Sequence, residues 1–183
     1  MEMKALINID YTNDFVAENG VLHCGEPGRA IEERVVVITE EFAKRGDFVI
    51  FAIDTHYKGD PYHPETKLFP PHNIAETDGI NLFGKLDKFY QNNKEQENIY
   101  YMPKTRYSAF AGTDLEVKLR ERGITEVHLV GVATDICVLH TAVDAYNKGF
   151  KIVIYKDAVA SFNSAGHEWA LGHFQTALGA EIK

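Results

Sequence analysis

Five short, largely apolar runs, at residues 4–9, 48–53, 99–102, 127–130 and 151–155, constrain this chain more than any other feature. They lack the strict alternation of a strand with one wet face. Strands of that kind are buried on both faces, the habit of parallel sheets covered by helices on either side. Segments with helical character lie between them. Residues 30–44 put Ile31, Val35, Ile38 and Phe42 on one face, and Gly46 stops the helix. Thr113 is placed to cap a helix running to about 122, with Gly123 after it. Further helices are expected at 135–148, ended by Gly149, and at 163–178, with a short sixth strand at 180–182. Residues 11–27 and 54–79 read as long loops, and 80–97 are weakly patterned. The alternation predicts an α/β fold: a three-layer α/β/α, Rossmann-like domain on a mostly parallel sheet of about six strands. At 183 residues, with no repeat, low-complexity block or linker, it reads as one domain over 1–183.

Charge narrows the partners. A net charge of −8 with no basic block argues against nucleic acid or an anionic membrane surface. No apolar run approaches the length of a membrane span. Residues 1–10 read as a first strand rather than a signal peptide, so a cytoplasmic protein is expected. Cys24 and Cys137 then read as reduced thiols.

The strand ends carry the chemistry. Asp10, Asp54, Lys104 and the loop G-V-A-T-D-I-C-V at 131–138 all fall at carboxyl ends of strands. In an open parallel sheet those ends share one edge, where ligands bind. Cys137 sits just past a strand and in the first turn of a helix. Unpaired N–H groups and the helix dipole are expected to lower its pKa by several units from about 8.5. Lys104 can hold a thiolate, and Asp10 can move its proton. His140, three residues on, reads as a packing or surface residue. The long loop adds Asp54, His56, Glu65 and His72, two carboxylates and two imidazoles that suit zinc, iron or manganese. His63 is a rival to Glu65. Pro61, Pro64, Pro70 and Pro71 stiffen the loop.

These blocks resemble the nicotinamidases of the isochorismatase-like cysteine hydrolase superfamily. The match rests on the strand ending at Asp10 with Phe15 beyond it, on D-T-H at 54–56 with F-P-P-H at 69–72, on Lys104 with R-Y-S-A-F, and on G-V-A-T-D-I-C-V. The resemblance implies a triad of Asp10, Lys104 and Cys137. It implies one divalent metal, zinc ahead of iron or manganese, on Asp54, His56 and His72, with Glu65 as the variable ligand. It further implies a cis peptide bond between Val132 and Ala133, and an oxyanion hole from the N–H groups of Ala133 and Cys137. Phe15, Phe69 and Tyr107 are the aromatic candidates for holding a flat substrate. The implied reaction is hydrolysis of nicotinamide, and of its analogue pyrazinamide, to the acid and ammonia through a Cys137 thioester. It would serve NAD salvage, in a dimer or tetramer of this chain. The alternatives are a hydrolase of another small amide or carbamoyl compound, and a metal-binding or thiol-sensing protein without turnover. One departure stands out: relatives often carry G-T-x-G after the metal loop, and this chain reads E-T-D-G at 76–79.

Overall fold

A computed structural model describes residues 2–183. Six strands form one sheet in the order β3-β2-β1-β4-β5-β6, and every pairing is parallel. They are β1 (Ala5–Ile9), β2 (Phe48–Asp54), β3 (Ile99–Lys104), β4 (Glu126–Val132), β5 (Lys151–Ala160) and β6 (Glu181–Ile182). The helices are α1 (Asn13–Val16), α2 (Gly25–Ala30), α3 (Glu32–Arg45), α4 (Gly84–Asn93), α5 (Leu115–Glu121), α6 (Leu139–Asn147) and α7 (Ser164–Leu178). Every residue of β1 is buried. On one face Ala5, Ile7 and Ile9 join Leu119, Val138, Ala142 and Phe174 in one core. On the other, Leu6 joins Val35, Ile38, Phe42 and Leu86. Full burial of such a side chain is worth roughly 1.5–3 kcal/mol, so these two cores hold the layers together.

Several local readings differ from expectation for identifiable reasons. The segment 11–27 holds α1 and part of α2 rather than open loop. Strand β3 continues through Pro103 to Lys104 because it lies at the sheet edge, where proline's missing N–H costs no ladder bond. Strand β5 runs to Ala160, past the exposed pair Lys156 and Asp157. Its register against β4 shifts between Leu129 and Gly131, so the polar pair marks an irregularity rather than the strand's end. Thr113 Oγ1 accepts from Leu115 N–H at 3.3 Å, although Asp114 is the residue at the N-cap position. The expected helix at 135–148 is a single π-helical turn, Thr134–Val138, followed by α6.

The winding reverses around β1, which pairs with β2 on one side and β4 on the other. A crevice therefore opens at the carboxyl ends of β1 and β4. Gly131 makes it possible. It sits at φ +114, and an added Cβ would strike the Ile9 carbonyl oxygen. Only glycine lets β4 approach β1 this closely.

Candidate active site

Asp10 follows β1 directly and adopts φ +53. Its N–H donates to Ala52 O at 3.2 Å, and its Oδ1 accepts the Asp54 N–H at 2.6 Å. With one oxygen held by backbone, Oδ2 faces Lys104 Nζ at 2.8 Å. Lys104, the last residue of β3, is the register partner of Asp54. Its Nζ also lies 3.7 Å from Cys137 Sγ, 3.8 Å from Asp54 Oδ1, and donates to Arg106 O at 3.1 Å. Asp10, Lys104 and Cys137 are thus brought together, and all three are buried. A lysine only 1% exposed is rare unless paired. Burial works against its charge, but the carboxylate of Asp10, Cys137 and the carboxylate of Asp54 outweigh it and hold its pKa above the ordinary lysine value.

The expectation of a lowered thiol pKa is overturned. Cys137 lies in the π-helical turn ahead of α6 and is buried. Burial raises its pKa most, the Asp10 carboxylate raises it further, and Lys104 only partly offsets them, leaving it well above the ordinary thiol value. Asp10 is also raised: burial dominates, Lys104 pulls it down, and Asp54 pushes it up. The resting pair is therefore a thiol beside a carboxyl group tuned toward proton exchange. The Val132–Ala133 peptide bond is cis. The turn's own bonds run from Ile136 N–H and Val138 N–H to Ala133 O.

A second cluster adjoins the first. Asp54, His56, His63 and Glu65 present ligand atoms within 4.8 Å of one another, all on buried residues. His72 Nε2 lies 3.4 Å from both Asp54 Oδ2 and Glu65 Oε2. All four expected ligands converge, and His63 joins them. Glu65 Oε1, His63 Nε2 and His72 Nε2 are buried without a hydrogen-bond partner among the described residues. Orphaned polar atoms of that kind are costly, and a divalent cation would satisfy Glu65 Oε1 and His72 Nε2. Mixed nitrogen and oxygen donors fit zinc, iron or manganese. His72 Nδ1 bonds Pro70 O at 2.8 Å, which puts its proton there and leaves Nε2 a lone pair. Burial opposes charge on His72, but the Asp54 and Glu65 carboxylates beside Nε2 prevail and, with no cation bound, raise its pKa to about 10. Those same contacts are what a cation would replace.

The aromatic candidates divide. Phe15 and Phe69 both set their rings edge-on to His72, with centroids 5.2 and 6.1 Å away. Tyr107 instead tilts against His140 at 5.2 Å, and burial with the nearby acids Glu65 and Cys137 pushes its hydroxyl up to about 12. His140 is exposed and bonds Ile136 O at 2.7 Å, in keeping with a surface role. A cavity of about 560 Å³ runs along the metal loop, bounded by Tyr57, Pro61, Phe69 and the imidazoles of His56 and His72. The E-T-D-G departure is accommodated. Glu76 takes φ +65, and Gly79 packs where any Cβ would strike the Asp14 carboxylate. Asp14 Oδ2 in turn accepts Asn73 N–H at 2.8 Å, so this turn anchors the strand of chain that carries His72.

Two side chains that sequence reading passed over touch the nucleophile turn. Thr134 Oγ1 meets His167 Nδ1 at 2.8 Å, and Ser161 Oγ donates to Asp135 Oδ1 at 2.6 Å. The partners are 33 and 26 residues apart, and no local pattern signals either contact.

Comparison with known proteins finds similarity along nearly the whole chain. The family described as "Isochorismatase domain" matches residues 4–182. The isochorismatase family protein PncA of Bacillus subtilis strain 168 is 66% identical over 179 residues, covering 98% of each chain. A crystal structure of nicotinamidase/pyrazinamidase PncA from Bacillus subtilis superposes with TM-score 0.97 at 63% identity, covering 98% of both. The pyrazinamidase of Pyrococcus horikoshii, solved in complex with zinc, superposes with TM-score 0.85 at 28% identity, again covering 98% of both.

Proposed function

We infer that this chain, which belongs to the isochorismatase family, is a nicotinamide amidohydrolase that releases ammonia and nicotinate through a Cys137 thioester. One observation carries the reading: Lys104 Nζ touches Asp10, Cys137 and Asp54, and so joins a nucleophile pair to a convergent set of metal donors. The similarity to a nicotinamidase/pyrazinamidase structure supports the same substrate class.

Asp10 accepts the Cys137 proton as Sγ forms its bond to the carboxamide carbon. Because the thiol is the resting form, proton transfer and attack run together. Lys104 keeps its charge throughout and stabilises both the thiolate and the Asp10 carboxylate. The N–H groups of Ala133 and Cys137 receive the oxyanion, each worth on the order of 2.7–4 kcal/mol. The C–N bond then breaks, and Asp10 returns its proton to the departing ammonia. A water gives a proton to Asp10 and attacks the thioester, which frees nicotinate and restores the thiol. Asp54, His56, Glu65 and His72 would hold the divalent metal, zinc in the first instance. Once bound, it supplies a Lewis-acid anchor that orients a pyridine ring. Phe15 and Phe69, beside His72, flank the ring, and Tyr107 closes the side next to α6. The nicotinate formed would feed pyridine-nucleotide salvage in the cytoplasm, and pyrazinamide would be a second substrate.

Ammonia release from nicotinamide, before and after chelation, tests this. Activity lost on chelation, restored by a divalent metal and absent from Cys137→Ala is expected. No ammonia from metal-loaded protein would overturn the reading and favour another small amide.

A further inference from the structure

The nucleophile turn is held from a direction that the reacting groups do not explain. Its first two residues, Thr134 and Asp135, lie with Ile136 between Ala133 and Cys137, the two residues assigned to the oxyanion hole. Neither faces the sulfur's partners. Thr134 is wholly buried and spends its hydroxyl on His167 Nδ1 at 2.8 Å. His167 stands in the first turn of α7. Asp135 Oδ1 accepts from Ser161 Oγ at 2.6 Å, and Ser161 Oγ itself accepts the Asn163 N–H at 3.1 Å. Asn163 caps α7 through the Gly166 N–H at 3.1 Å. Gly166 carries no Cβ where one would strike the Asp135 carboxylate. The end of β5 and the start of α7 thus form one hydrogen-bonded unit, and that unit grips the turn at two successive residues.

We propose that Thr134 and His167 are positioning residues, whose contact fixes the spacing of the Ala133 and Cys137 N–H groups and aims Cys137 Sγ at Asp10. The proposal rests on the amidase reading for its chemistry but on geometry for its residues. A half-buried side-chain hydrogen bond across 33 positions, anchored on the buried Thr134, is a strut between the two elements. Without it the turn keeps its backbone bonds and the Asp135–Ser161 contact but loses its direct link to α7. Displacement of a catalytic group by about 1 Å can cost on the order of a hundredfold in rate.

The test is a double-mutant cycle on the metal-loaded protein with Thr134→Val, His167→Ala and the pair. Each single change is expected to lower kcat about tenfold with KM within about twofold. The pair should lose about the same tenfold, because either change breaks the same strut. Thr134→Ser, which keeps the hydroxyl, should recover most of the rate. The rate of Cys137 alkylation by iodoacetamide, measured on the same proteins, should fall in parallel. Losses that multiply to about a hundredfold, a Thr134→Ser no better than Thr134→Val, or a change confined to KM would each overturn the proposal. If wild-type protein leaves nicotinamide untouched, the amidase reading fails, and the alkylation cycle alone decides whether the clamp holds.

Discussion

The Asp54 N–H donates to Asp10 Oδ1 at 2.6 Å, so a residue whose side chain faces the metal donors also fixes the carboxyl group that serves the thiol. The two centres share a backbone and cannot move independently. Asp10 has one oxygen on that N–H and the other on Lys104, and its only freedom is to exchange a proton. Asp10→Asn keeps an oxygen for the Asp54 N–H but removes the base. Ammonia release should fall by about 10²–10⁴-fold, the usual worth of a positioned base, while metal content stays unchanged. Loss of metal along with activity would mean that Asp10 acts through the cluster instead.

The raised thiol pKa makes a second prediction. The alkylation rate of Cys137 should climb with pH from 6 to beyond 9 with no plateau near neutrality, since burial and Asp10 hold the proton on sulfur. A plateau below pH 7 would show a resting thiolate and put proton transfer ahead of attack.

How far the sequence foretold these features depends on range. The strand ends Asp10, Asp54 and Lys104 were legible because apolar runs stop locally, at the residue where the chain leaves the sheet. The convergence of His56, Glu65 and His72 was legible because one loop carries all three. The thiol's pKa was not: it depends on burial and on the Asp10 carboxylate from another strand end, which no helix-terminus argument contains. Strand β5 was cut short because Lys156 and Asp157 look like a turn until β4's irregular register is known. His167 gave no signal at all, since its partner lies in a different element.

Backbone geometry separates two positions that sequence alone treats alike. Gly131 and Glu76 both have positive φ, at +114 and +65. Gly131→Ala would drive a methyl group into the Ile9 carbonyl at the centre of the sheet, where backbone cannot yield. A loss of more than about 3 kcal/mol, or no soluble protein, is expected by denaturant titration. Glu76→Gly relieves a left-handed strain of about 1–2 kcal/mol and returns some of it as chain entropy. That variant should match or exceed wild type by up to about 1 kcal/mol.

At the opposite end of the sheet, His128 predicts how stability depends on pH. It is buried, bonded to Tyr155 OH at 3.1 Å and to Glu126 Oε1 at 2.8 Å, with Phe42 against its ring and Lys4 on the same carboxylate. Burial lowers its pKa more than Glu126 raises it, with Lys183 and Lys4 adding to the fall. Below about 6.5 the unfolded chain takes up a proton that the folded chain refuses. Stability should therefore fall as pH drops from about 6.5 toward the depressed folded pKa, by at most ~1.4 kcal/mol per pH unit. Glu126, whose pKa is lowered, acts only below the ordinary carboxylate range and leaves this window clear. Denaturant melts of metal-loaded protein, which keep the His56 and His72 imidazoles from titrating, should show the slope in wild type and a smaller one in His128→Gln, the remainder coming from His63, whose pKa burial also lowers. An unchanged slope in that variant would assign the effect elsewhere.

Glu65 and His63 compete for one place on the metal, and their hydrogen bonds decide between them. His63 Nδ1 accepts the Glu65 N–H at 3.2 Å, so in the neutral ring the proton sits on Nε2. That nitrogen then offers no lone pair to a cation. His72 is the reverse case: its Nδ1–H is spent on Pro70 O, and Nε2 is free to coordinate. Glu65 keeps Oε1 unpartnered and Oε2 beside His72. Glu65 is thus the better-placed donor for a cation, and His63 shapes the turn that presents it, as the residue capping the 3₁₀ helix Pro64–Lys67. Glu65→Ala should weaken metal binding by more than the 10–100-fold typical of an outer-shell change, and His63→Ala should fall within that range. Competition against a chromogenic chelator measures both without reference to turnover. Equal losses would place both residues on the metal, and a larger loss from His63→Ala would exchange their roles.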